Sequence, residues 1–105
     1  MDVETFRRLA AEHGDDAVLL DVRTPKEFAQ GHIAGAINID SSDPDFEQKL
    51  AALDRGKTYL VYCRTGRRST QACVALDQLN FPGSLLYNLD GGIVAWEKAG
   101  QDVKK

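Results

Sequence analysis

The chain has 105 residues, 43% of them hydrophobic and 28% charged, the balance of one folded soluble domain over 1–105 and not of a disordered chain. Its net charge of −3 argues against nucleic acid as a partner, because proteins that bind it present a broad basic surface. No apolar run reaches the length of a membrane span, and Met1-Asp2-Val3-Glu4-Thr5-Phe6 lacks the basic start and apolar core of a secretory signal, so no membrane partner and a cytoplasmic location are expected.

Asp2 is a helix N-cap candidate, with Val3, Phe6, Leu9 and Ala10 at helical spacing as far as Gly14. Residues 17–22 read as a buried strand. Thr24 then caps a short helix over 25–30, with Pro25 in its first turn and Gly31 at its end. Residues 36–39 form a second short strand, and Ser41-Ser42-Asp43-Pro44 turns into a helix over 45–53. The third strand is 58–62 and the helix after it 69–79. Phe81-Pro82-Gly83 breaks the chain before a fourth strand at 85–87, and Asp90-Gly91-Gly92 turns into a last helix over 93–99. Val103-Lys104-Lys105 is expected to fray. Alternating strands and helices imply a mainly parallel sheet covered on both faces, with ligands at the carboxyl ends of its strands.

Cys63 lies at such an end. It follows the apolar run Tyr59-Leu60-Val61-Tyr62, and Arg64, Thr65, Gly66, Arg67 and Arg68 come next, before a helical segment. A thiol facing a helix N-terminus meets backbone N–H groups and a positive dipole end, both of which favour the thiolate, the nucleophilic form. The arginines supply positive charge for an oxyanion substrate. Cys63 and Cys73 are too few for a disulfide framework and show no CxxC spacing or clustered histidines, so no metal is expected.

Four segments together resemble the rhodanese-like family of sulfurtransferases: residues 21–28 (Asp21-Val22-Arg23-Thr24-Pro25-Lys26-Glu27-Phe28), 31–38 (Gly31-His32-Ile33-Ala34-Gly35-Ala36-Ile37-Asn38), 63–68, which follow the loop pattern Cys-Arg-x-Gly-x-Arg, and 88–96, which carry the closing Asp90-Gly91-Gly92. The resemblance implies an α/β three-layer sandwich with a mainly parallel sheet of four or five strands. Family members often have a short strand before the first helix, so the sheet edge here is expected to be a strand short.

It also implies transfer of sulfane sulfur by double displacement. Cys63 thiolate takes sulfur from a small anionic donor such as thiosulfate, forms a persulfide, and gives the sulfur to cyanide or a thiol. No metal or organic cofactor is implied. Amides from Arg64 to Ser69, including those of Thr65 and Gly66, are expected to cradle the anion. Gly66 lets the loop curl, and Arg67 and Arg68 are expected to hold the donor's sulfonate. Arg64 either binds substrate or turns inward to Asp21, a supporting carboxylate at the end of a buried strand.

The nearest rival is a cysteine-dependent phosphatase or an arsenate reductase-like enzyme. Those need Cys-x5-Arg, and here Ser69 holds that arginine position, Arg68 falls one short, and Tyr62 stands where protein phosphatases usually carry histidine. The shorter loop suits one added sulfur better than a tetrahedral phosphate. A persulfide carrier serving a protein donor or acceptor would use the same Cys63 loop. Cys73 reads as a core thiol before a resolving cysteine, His32 as structural, His13 as exposed at a helix end, and Trp96 as core. Arg23 and Glu27, four apart, are a candidate local pair.

Overall fold

The computed structural model describes residues 1–105. Four strands, β1 (Ala17–Asp21), β2 (Ile37–Asn38), β3 (Thr58–Tyr62) and β4 (Leu86–Asn88), form one sheet in the order β2-β1-β3-β4, with every pairing parallel. The edge strands are short and the central β3 is buried along its whole length. That burial explains why its sequence is a continuous apolar run: helices cover both faces. Those helices are α1 (Val3–His13), α2 (Pro25–Gln30), α3 (Phe46–Ala51), α4 (Arg67–Gln78) and α5 (Gly92–Lys98). None is long and apolar enough to cross a membrane.

Side-chain alternation along β3 divides the core. Tyr59, Val61 and Cys63 point to one face, where they pack with Leu20, Leu50 of α3, and Ala72 and Leu76 of α4. Leu60 and Tyr62 point to the other, packing with Phe6 of α1 and with Ile93 and Trp96 of α5. Phe6 and Trp96 meet edge to face at 6.3 Å, so Trp96 is a core residue, as expected. The chain is therefore a three-layer α/β sandwich. Its sheet has four strands, the lower of the two numbers expected.

Local chemistry sets the helix ends. Asp2 accepts from Thr5 N at 2.9 Å. Thr24 and Glu27 form a reciprocal capping box at the start of α2, with Pro25 in the first turn. Several boundaries differ from expectation, each by one or two residues. Helix α4 starts at Arg67 and not at residue 69, because Gly66 adopts a left-handed φ of 107° and turns the chain directly from loop into helix. Helix α3 spans only Phe46–Ala51, and β4 lies one residue later than expected. The terminal segment is not frayed. Lys104 exchanges two backbone hydrogen bonds with His32, at 2.7 and 2.8 Å, and Trp96 Nε1 donates to Asp102 O at 2.9 Å.

The start of α5 positions the loop after β3. Ile93 N donates to Cys63 O at 2.9 Å and Val94 N to Arg64 O at 3.2 Å. So close an approach needs a residue without a side chain, and Gly92, at φ +59°, supplies it: a Cβ there would collide with the carbonyl oxygens of both Cys63 and Arg64. Gly92→Ala is expected to cost about 2 kcal/mol or more, the sum of left-handed strain and that collision. Gly100→Ala, also at positive φ but with open space around it, pays only the strain. Urea unfolding of the two variants checks this; equal losses would contradict it.

Candidate active site

Cys63 follows the last residue of β3, at the carboxyl edge of the sheet, and is 1% exposed. Its sulfur accepts from Gly66 N at 3.0 Å and lies 3.5 Å from the hydroxyl of the fully buried Ser69. Burial pushes the thiol pKa up. The Ser69 hydroxyl and the backbone amides of Ser69, Gly66 and Thr65 pull it down and prevail, leaving it below the ordinary thiol value. The loop's carbonyls point the other way, to α5 and, for Gly66 O, to Thr70. Amides toward sulfur and carbonyls away from it make this loop an anion cradle. The sequence-predicted Cys63, Thr65, Gly66 and Ser69 thus converge on one atom.

The arginines part company. Arg64 and Arg67 are exposed, and neither side chain has a bonded partner. Arg64 does not turn inward to Asp21. That carboxylate is fully buried and already saturated by Arg23, whose Nη2 donates to Oδ2 at 2.7 Å and whose Nε lies 3.1 Å from both oxygens. Arg23 also donates to Gly31 O at 2.6 Å and lies over the Tyr62 ring. The expected Arg23–Glu27 pair therefore does not form: a fully buried carboxylate needs the guanidinium more than a half-exposed one does. Glu27 instead takes Arg68 in a two-toothed pair at 2.8 and 3.0 Å. Arg68, expected as a free clamp, is tied to α2.

Asp21 supports the site as a brace. Besides holding Arg23, its backbone carbonyl and that of Arg23 accept from Asn38 Nδ2 at 3.0 and 2.9 Å. Tyr62 OH accepts from Ile33 N at 3.0 Å and anchors the turn after α2. His32 bonds to Phe28 O through Nδ1 and stacks on the Phe28 ring at 3.8 Å, a structural role as expected. His13 is half-buried, less exposed than expected. Cys73 is half-buried against the core, where burial pushes its thiol up to about 11 and disfavours its thiolate. A cavity of about 360 Å³ opens beside the loop, with Arg64, Glu27, Ile93, Val94, Glu97 and Lys105 in its walls.

Glu27, a candidate partner of Arg23 in sequence, pairs with Arg68 instead. Asn88, at the end of β4, is a further residue of the site and bonds to both Ser69 Oγ and Thr70 Oγ1. No local pattern marks Asn88, because its partners lie on α4.

Residues 3–99 match the family model of the rhodanese-like domain. A sulfurtransferase of Allochromatium vinosum is 38% identical over 100 residues, covering 95% of this chain and 89% of that one. The thiosulfate sulfurtransferase GlpE of Pseudomonas aeruginosa (strain LESB58) is 37% identical over 99 residues, covering 89% and 86%. Among solved structures, a rhodanese-related protein from Thermoplasma volcanium matches with a TM-score of 0.80 at 34% identity, covering 99% and 95% of the two chains.

The Arg68 pair lowers the Glu27 carboxyl from 4.5 to about 2. A depressed carboxyl contributes stability that is present above its unfolded value and lost as pH falls through its folded one. Glu27→Gln is expected to flatten the decline in melting temperature between pH 4.5 and about 2. An unchanged acid slope in melts taken across that window would show that the pair contributes nothing.

Proposed function

This chain belongs to the rhodanese-like domain family, and on that premise we propose that it is a sulfurtransferase working through a persulfide on Cys63. The observation that carries the proposal is the 3.0 Å bond from Gly66 N to the Cys63 sulfur, within a ring of amides that favours an anion there.

Cys63 thiolate attacks the outer sulfur of thiosulfate or a related donor. A new S–S bond forms at Cys63, the donor's own S–S bond breaks, and its electron pair leaves with sulfite. The negative charge now sits on the terminal persulfide sulfur, one atom beyond Sγ. Cyanide or a thiolate then attacks that sulfur, the persulfide bond breaks, and its electron pair returns to Cys63. No proton moves in either step when acceptor and nucleophile are both anionic, which accounts for a site with no histidine at the sulfur. Stabilisation comes from fixed amides already aimed at the charge. Arg67 and Arg64, exposed beside the loop and unpaired, are the groups that would draw in a dianionic donor. Arg68, held by Glu27, contributes charge from a fixed position.

Incubation of the reduced protein with thiosulfate is expected to add one sulfur atom to its intact mass. Cyanide should remove it with release of thiocyanate, and Cys63→Ser should gain nothing. A gain that persists in Cys63→Ser would move the chemistry elsewhere, and no gain in the wild type would exclude thiosulfate as the donor.

A further inference from the structure

The hydroxyl of Ser69 has one proton and three acceptors within reach: Asn88 Oδ1 at 2.5 Å, Gly66 O at 3.1 Å and Cys63 Sγ at 3.5 Å. It can serve one of them well. Gly66 O is already occupied, by Thr70 N at 3.1 Å and by the Thr70 hydroxyl at 2.7 Å. Because the Thr70 proton points at Gly66 O, Thr70 Oγ1 is left to accept, and it does so from Asn88 Nδ2 at 2.9 Å. That bond orients the whole amide. Its nitrogen faces Thr70, so its oxygen faces Ser69 and competes with the Cys63 sulfur for the same proton.

We propose that Asn88 is a positioning residue for sulfur transfer: oriented by Thr70, its Oδ1 competes with the Cys63 sulfur for the Ser69 hydroxyl proton and so limits how strongly that hydroxyl stabilises the thiolate. The proposal rests on Cys63 being the nucleophile. Only a hydrogen bond is shared; no bond to hydrogen breaks. A shared donor keeps the thiolate from being over-stabilised, and nucleophilicity falls as a thiol's pKa falls.

The charged groups around this cluster do not touch its hydroxyl–amide bond. Arg68 is paired with Glu27, Arg64 and Arg67 are exposed, and buried Asp21 is held by Arg23. On the backbone side of Asn88, the Met1 ammonium donates to Asn88 O at 2.8 Å and pairs with Asp90 at 3.1 Å.

The test is the pH dependence of Cys63 alkylation by iodoacetamide, followed at the Cys63 peptide by mass spectrometry. Asn88→Ala releases the Ser69 proton to sulfur, so the midpoint is expected to fall by about one pH unit, the worth of one hydrogen bond to a charged group. Asn88→Asp, which keeps the shape and offers a stronger acceptor with a negative charge, is expected to raise it. In a Ser69→Ala background, Asn88→Ala should shift nothing, and the rise caused by Asn88→Asp should shrink by half or more. Shifts of the same sign in the two Asn88 variants, no shift in Asn88→Ala, or equal shifts with and without Ser69 would overturn the proposal. If Asn88→Ala fails to fold, the Asn88→Asp pair of measurements still decides. Alkylation reports the thiol whether or not sulfur is transferred, so a failed persulfide assay leaves this result standing apart.

Discussion

The carbonyls of Cys63 and Arg64 are spoken for by the amides of Ile93 and Val94, and the rest of the site depends on that pairing. An unpaired carbonyl in this position would cost about 1–3 kcal/mol, so the loop is strongly biased toward the conformation that satisfies both. With the carbonyls turned to α5, the following amides face the sulfur. Gly92 makes the close approach possible, and Gly66 lets the chain leave the loop directly as α4. Two glycines 26 residues apart in sequence thus produce one electrostatic result, a thiol held below its ordinary pKa despite near-complete burial.

Two ion pairs from the segment 21–27 stiffen the same region at different depths. Asp21–Arg23 is buried and saturated with hydrogen bonds, and it ties the end of β1 to the turn after α2 through Gly31 O. Glu27–Arg68 is half-exposed and ties α2 to the first turn of α4. The buried pair is a brace whose loss would strand a charge in the core. The outer pair leaves Arg64 and Arg67 as the exposed, unpaired cations, a division among three loop arginines that look equivalent in sequence.

Much of this was legible from residue order alone. The apolar run 59–62, the cysteine at its end and the glycine three residues later locate strand, nucleophile candidate and loop, because each reflects a local requirement of burial or backbone angle. The misassignments share another cause. Arg23 and Glu27 are four apart, but Arg23 precedes the Thr24 cap and is not on the helix, so helical spacing does not bring them together. Arg67 and Arg68 carry no apolar periodicity, which hid the first turn of α4. The terminal lysines suggest a solvated tail, whereas the backbone there pairs with His32 regardless of side-chain type. Asn88 sits 19 residues from Ser69, and only the parallel pairing of β3 with β4 brings them together.

Backbone amides and the Ser69 hydroxyl favour the Cys63 anion more than burial opposes it. Titrating the ultraviolet absorbance of the thiolate, with Cys63→Ser subtracted to remove Cys73 and the tyrosines, measures this directly. The midpoint is expected below the ordinary thiol value of 9.0. A midpoint at or above that value would mean that desolvation wins and that the loop does not prepare a nucleophile.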